Sequence, residues 1–300
     1  MNLGALSVIF ATFLWALDTL IRYPLLGSGV SAAWIVSVEH LLLSLIFLPI
    51  LFRSKNILKG LDRKDWASLI LIGAGASALG TLAFTQAFLL LNPSLVILLQ
   101  KFQPLFAIFL AFIVLKEKIS WKFLFWALPC VLGGILLSFE DIVLGLNSKT
   151  EKSGQLIFVG YLLTLFTVIC WASATVFGKR LMNKGLSIGQ LTSLRFVIGM
   201  VFLIPFLGHE LSTPSFYLYD LAIWAKLAVM VIISGVLGMV LYYFGLARIK
   251  ARLCALLELF FPFSAVVVNW VFLGVALSFW QLLGAALLLL GSTVLQLKRY

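Results

Sequence analysis

Residues 104–133 read PLFAIFLAFIVLKEKISWKFLFWALPCVLG: an apolar stretch opened by Pro104, a short basic link at Lys116-Glu117-Lys118, and a second apolar stretch. Extended to residues 94 and 138, each stretch approaches about 20 residues, the length of helix that crosses a hydrocarbon core. A shift of 158 carries Pro104 to Pro262, Ser120 to Ser278 and Gly133 to Gly291. Upstream it carries Trp66 to Trp224 and Leu79-Gly80 to Leu237-Gly238. A shift of 156 then pairs Trp15 with Trp171, Thr19 with Thr175, Ser31 with Ser187, Ser37 with Ser193 and Pro49 with Pro205. The register changes by two residues, inside a loop. The chain therefore reads as ten apolar helix-length stretches, the second five repeating the first five. An odd number of spans per half places the second half upside down relative to the first, and inverted repeats are the architecture of alternating-access carriers.

The expected spans are 3–23, 33–52, 66–90, 94–115, 120–138, 156–178, 188–207, 222–246, 252–274 and 278–297. Two five-helix repeats, 1–138 and 155–300, are joined by the polar linker 139–154. Composition agrees with an all-α integral membrane protein. Hydrophobic residues make up 63% of the chain and charged residues 11%, and mean hydropathy is +1.14. Soluble domains carry about 25% charged residues.

The net charge of +11 has a topological explanation. Sixteen of the 22 Lys and Arg fall on the side that holds both termini, four (Arg22, Lys149, Lys152 and Lys226) on the other, and Lys101 and Arg195 inside spans. Basic residues concentrate in cytoplasmic loops, so both termini are expected in the cytoplasm and no nucleic-acid partner is implied. The first span lacks a basic leader, and Asp18 and Arg22 stand where a small-residue cleavage site would be expected, which argues against a cleaved signal peptide. Cys130, Cys170 and Cys254 lie within spans, so no disulfide framework is expected. There is no Walker loop and no Cys/His cluster with metal spacing, so neither metal nor cofactor is expected. A clustered catalytic set near one interface is also missing, and no enzyme is expected.

Ionisable residues inside spans carry the functional argument. A charge at a bilayer centre costs about 2.5–3.5 kcal/mol on insertion scales, so it faces a cavity or a partner. At helical spacing, Trp15, Asp18, Thr19 and Arg22 share a face, as do Cys254, Glu258, Pro262 and Asn269. Gln100 and Gln103 stand one turn apart beside Pro104, and Trp171 and Thr175 align in the sixth span. His40 shares a face with Ser37 and Ser44, whereas Glu39 points well away. The expected cavity set is Trp15, Asp18, Thr19, His40, Gln100, Gln103, Trp171, Thr175, Tyr242, Glu258 and Asn269. The expected gating or coupling set is Glu39, Lys101, Arg195 and Glu258, with Arg195 pairing Glu258 at the inner gate and Glu39 meeting Lys101 at the outer one. Spans five and ten hold no ionisable residue in their cores and read as bracing helices, a candidate homodimer contact.

The segment 104–133, the ten spans, Trp15 and Trp171, Lys179 ending the sixth span and Arg195-Phe196 early in the seventh resemble the EamA-type members of the drug/metabolite transporter superfamily. The resemblance covers essentially the whole chain. It implies a ten-helix carrier in a bacterial inner (plasma) membrane, exporting amino acids or other small metabolites. Two departures stand out: Glu39-His40 replaces the usual Arg-Phe in the first half, and Val275 stands where Glu117 would recur. The expectation is thus a secondary transporter, an exporter of a small polar or zwitterionic metabolite, with protons as the candidate coupling ion. The alternatives are an antiporter of an anionic metabolite, with Lys101 and Arg195 as countercharges, and a membrane subunit without flux of its own.

The charge asymmetry predicts that Asn147→Cys in the linker is modified by a membrane-impermeant thiol reagent in intact cells. Modification only after lysis would reverse the topology.

Overall fold

The computed structural model describes residues 2–91, 99–137, 154–212, 220–273 and 278–298, with residues 96, 139 and 143 between them. Every described regular element is helical. That is what lipid requires, because a helix satisfies its backbone polar groups within one segment. The elements are α1 (Leu3–Gly27), α2 (Ala32–Phe52), the short α3 (Lys55–Lys59), α4 (Arg63–Leu90), α5 (Gln103–Val114), α6 (Trp121–Leu137), α7 (Gly154–Asn183), α8 (Ile188–Leu211), α9 (Leu221–Arg248), α10 (Ala251–Leu257), α11 (Phe260–Leu273) and α12 (Phe279–Leu297). Six of them, α1, α2, α4, α7, α8 and α9, are long and apolar enough to cross a membrane. The remaining helices are shorter, and the expected fourth span and the linker 139–154 fall partly or largely outside the described residues.

Helix starts follow the sequence repeat. Ser31 and Ser187 cap α2 and α8 by accepting the N–H of Trp34 and Gln190. Asp62 and Asp220 cap α4 and α9 through Asp65 and Ile223. Ser120 and Ser278 do the same for α6 and α12 through Phe123 and Gln281. A short polar side chain at each start satisfies one of the helix's unpaired N–H groups.

Packing interlaces the halves. Helix α1 lies against α9 and α11, and its repeat counterpart α7 lies against α4 and α5. Helices α2 and α8 pack on each other, as do α6 and α12. The α6–α12 contact depends on glycine: a Cβ at Gly133 would sit 2.6 Å from the carbonyl oxygen of Gly284, and one at Gly284 would sit 2.7 Å from that of Gly133. Small residues let membrane helices approach this closely. The bracing helices thus brace each other within one chain.

Helices α4 and α9 each contain a π-helical stretch, Leu71–Gly80 and Val231–Gly238, which end at the repeat-equivalent glycines. The indole of Trp171 donates to the Ala76 carbonyl at 3.0 Å, and that of Trp15 donates to the Ser234 carbonyl at 3.3 Å. The two acceptors are themselves repeat equivalents, 158 residues apart. A Cβ on Gly238 would sit 2.8 Å from the Trp15 indole nitrogen and collide with it, whereas one on Gly80 would meet the Gly75 carbonyl at 2.9 Å and touch the Trp171 indole at 3.4 Å.

Basic residues tie helix ends together at one end of the bundle. Asp65, 1% exposed, accepts from Arg180 of α7 and from Lys184 just beyond its end. Lys179 donates to the last carbonyls of α9, at Leu246 and Ala247. Glu117 accepts the N–H groups of Ala251 and Arg252 at the start of α10. The side chain of Lys184 and nearby N–H groups hold the surface carboxyl of Asp62 down to about 2. Because its folded value is depressed, the contribution of that cap is complete above the ordinary aspartate range and fades only as pH falls toward about 2.

Candidate functional site

Between the halves lies a cavity of about 200 Å³. It collects almost the whole expected set: Trp15, Asp18, Thr19, His40, Gln100, Gln103, Trp171, Thr175, Tyr242 and Glu258, together with Glu39, Lys101 and Arg195. The side chain of Asn269 lies outside the described residues. Three polar clusters and an aromatic wall make up the site.

The first cluster is an ion-paired triad. Helix α1 continues through Pro24 to Gly27, which carries Arg22 inside the bundle. Its Nε meets Asp18 one turn earlier at 2.7 Å, and a terminal nitrogen meets Glu39 of α2 at 3.0 Å. Ser234 of the other half donates to Asp18 at 2.8 Å. All three charged side chains are nearly sequestered, so each depends on the others to offset its desolvation. Two expectations are corrected here. Arg22, counted with the outer basic residues and left out of the expected cavity set, lines the cavity, and Glu39 takes its ion pair from Arg22 rather than from Lys101. Lys101 instead lies with its ammonium 5.9 Å from the Phe261 ring.

The second cluster joins His40, Ser77, Arg195 and Tyr243. The Nδ1 of His40 stands 2.9 Å from the Val36 carbonyl, which can only accept, so the ring proton is on Nδ1. Its Nε2 then accepts from Ser77 at 2.9 Å, and Arg195 donates to Ser77 and to the Tyr243 hydroxyl, both at 3.1 Å. Glu39 was expected to point well away from the face of His40. Both line the cavity, because it wraps the edge of α2 and side chains 100° apart flank that edge.

The third cluster surrounds Glu258. One carboxylate oxygen lies 3.0 Å from the Tyr242 hydroxyl and 3.2 Å from that of Thr175, and the two hydroxyls share a hydrogen bond of 2.7 Å, so one of them donates to the carboxylate and the other to its neighbour; the second carboxylate oxygen accepts from the Gln103 amide (2.5 Å). The expected Arg195–Glu258 gate is not formed, since each side chain is engaged elsewhere. Sequence reasoning placed the two at similar depth, but depth leaves open which neighbour is in reach.

The walls are aromatic. Trp15 and Tyr242 have centroids 5.3 Å apart, and Trp171 packs against Phe84 at 4.8 Å. Sequence reasoning missed Ser77 and Ser234 as polar cavity residues. Their only signal was small-residue spacing, which more commonly marks helix packing.

A polar, aromatic cavity enclosed by membrane-length apolar helices is the arrangement of a membrane transport protein. The chain belongs to the EamA-like transporter family, whose profile matches it twice, over residues 2–139 and 158–297. It is 32% identical to the riboflavin transporter ImpX of Fusobacterium nucleatum over 292 residues, 96% of this chain and 95% of that one. It is 24% identical to the biotin transporter of Escherichia coli over 249 residues, 81% of this chain and 76% of that one. A solved crystal structure at 16% identity shares the fold, with a TM-score of 0.73 over 99% of this chain and 96% of that chain. The protein is an integral, multi-pass membrane transporter of this family, with the lipid bilayer and a small molecule as its partners.

The triad generates a stability prediction. Arg22→Met strands two buried carboxylates and should cost about 3–5 kcal/mol. Combining it with Asp18→Asn and Glu39→Gln should recover much of that loss. Thermal unfolding in detergent reads both; a single variant as stable as the wild type would dissolve the triad.

Proposed function

We propose that this chain is a ten-span secondary transporter that carries a neutral, planar heteroaromatic vitamin of the riboflavin kind by alternating access. In this reading the repeats 1–138 and 155–300 are inverted, both termini are cytoplasmic, and the halves rock about the cavity. The exchange of helix partners between the halves supports inversion: α1 with α9 and α11 corresponds to α7 with α4 and α5. The riboflavin-transporting relative, aligned along nearly its whole length, supports the substrate class.

One observation carries the choice of a neutral substrate. The cavity's charged groups are largely engaged with protein partners. Arg22 occupies Asp18 and Glu39, Arg195 is held by Ser77 and Tyr243, and Glu258 faces neutral donors. A zwitterionic amino acid needs an acid and a base turned toward it, and an anion needs an uncommitted cation such as Arg195 was expected to be. Beside these engaged charges, the cavity is lined by indole, phenol and phenyl surfaces with hydroxyls and amides between them. Flat rings stack on such surfaces. The triad holds two carboxylates against one guanidinium, so an incoming proton would balance it, and protons remain the coupling ion of this proposal. Direction then follows the gradients of substrate and proton.

Binding to the purified chain tests the proposal. Riboflavin fluorescence should be quenched as the isoalloxazine stacks on Trp15 or Trp171. Trp15→Leu and Trp171→Leu should each weaken binding several-fold to about tenfold. Absence of quenching and of thermal stabilisation by riboflavin, with stabilisation by amino acids, would return the substrate to the zwitterionic class.

A further inference from the structure

The proposal concerns how the site reads its substrate, and it rests on the flavin reading above. Its starting point is a pair of helix breaks. Helix α10 ends at Leu257 and α11 begins at Phe260, leaving Glu258 at the break. Pro262, four residues on, has no N–H to return to the Glu258 carbonyl, and Phe261 supplies it instead at 3.0 Å. In the first half Gln100 is the repeat equivalent of Glu258, Pro104 follows it by the same four residues, and the backbone turns at Lys101-Phe102 before α5. Broken membrane helices persist where they line a cavity. Both side chains do so.

The hydrogen-bond inventory at these breaks is incomplete. A carboxylate has about four acceptor positions. Glu258 has the mutually bonded hydroxyls of Tyr242 and Thr175 beside one oxygen and only Gln103 on the other. The second oxygen therefore keeps a position for one more donor. Gln103 spends one of its two amide hydrogens on that bond and keeps the other. In the same cavity wall the Gln100 carbonyl oxygen is buried with no partner among the described residues. The site thus sets an acceptor beside a donor, with a second acceptor in the same cavity.

We propose that Glu258 and Gln103 form a specificity edge that recognises a cyclic imide or ureide, with Glu258 accepting its ring N–H and Gln103 donating to the adjacent ring carbonyl. An N–H next to a carbonyl within a ring presents a donor and an acceptor side by side, complementary to this pair. Gln100 takes a further donor from the ligand, such as a side-chain hydroxyl. A carboxylate on the ligand is turned away, because Glu258 offers it only acceptors. Ring stacking supplies affinity, and the edge supplies selection, since a buried acceptor left unpaired is costly.

N3-methylriboflavin keeps the ring system and loses only the imide N–H. Quenching titrations on the full-length wild-type protein should give binding at least about tenfold weaker for it than for riboflavin. In Glu258→Gln and in Gln103→Leu the ratio between the two flavins should fall toward one, while quenching by stacking persists. Equal affinity of the wild type for both flavins would overturn the edge and leave the flavin carrier standing. Failure of the wild type to bind either flavin would overturn the carrier reading itself. The wild-type ratio decides the matter even where a variant does not fold.

Discussion

The indole N–H groups of Trp15 and Trp171 each cross from one half of the molecule to a backbone carbonyl in the other, at Ser234 and Ala76. The rest of the structure depends on this exchange. Both acceptors lie in π-helical stretches, whose wider turns occur frequently at functional sites. Both stretches end in a glycine beside the ring, and at Gly238 a side chain would collide with it. Neither half can complete this contact alone, because each supplies the donor to the other's widened helix. The cavity is the space that the two crossings leave between them, with the same indoles as part of its wall.

Charge is arranged around that space so that little of it is left unmatched. The Asp18–Arg22–Glu39 triad brings together side chains of α1 and α2 and receives Ser234 from α9. Arg195 of α8 reaches Ser77 of α4, and Glu258 is met by Gln103 of α5 and Thr175 of α7. Several of these contacts join the two halves. Rocking one half against the other must therefore exchange hydrogen bonds in the middle of a low-dielectric medium, where an unpaired partner is expensive. That cost favours discrete end states, the behaviour an alternating carrier needs.

Much of this was legible in the sequence. The shifts of 156 and 158 located the repeat, and the helix caps at Ser31/Ser187 and Ser120/Ser278 follow it. Facial spacing picked out Asp18, Trp171 and Glu258 because membrane helices have few reasons to carry such groups toward lipid. Pairing was not legible. Arg22 stands two residues before Pro24, which reads as the end of a span, yet α1 runs on to Gly27 and brings its guanidinium to Glu39. Arg195 and Glu258 share a depth but reach different neighbours, because helix rotation and crossing decide which side chains touch. The π stretches carry no sequence signal beyond their closing glycines, and nothing in the sequence set Ser77 and Ser234 apart as cavity residues. Glu117, prominent in the family-like segment, caps α10.

Counterflow separates a carrier with one alternating site from a channel or an inert subunit. Proteoliposomes of the purified chain, preloaded with unlabelled riboflavin and diluted into trace labelled riboflavin, should accumulate label transiently above equilibrium. Unloaded vesicles should not. Accumulation that ignores internal substrate, or no entry of label at all, would contradict alternating access through the cavity between the two halves.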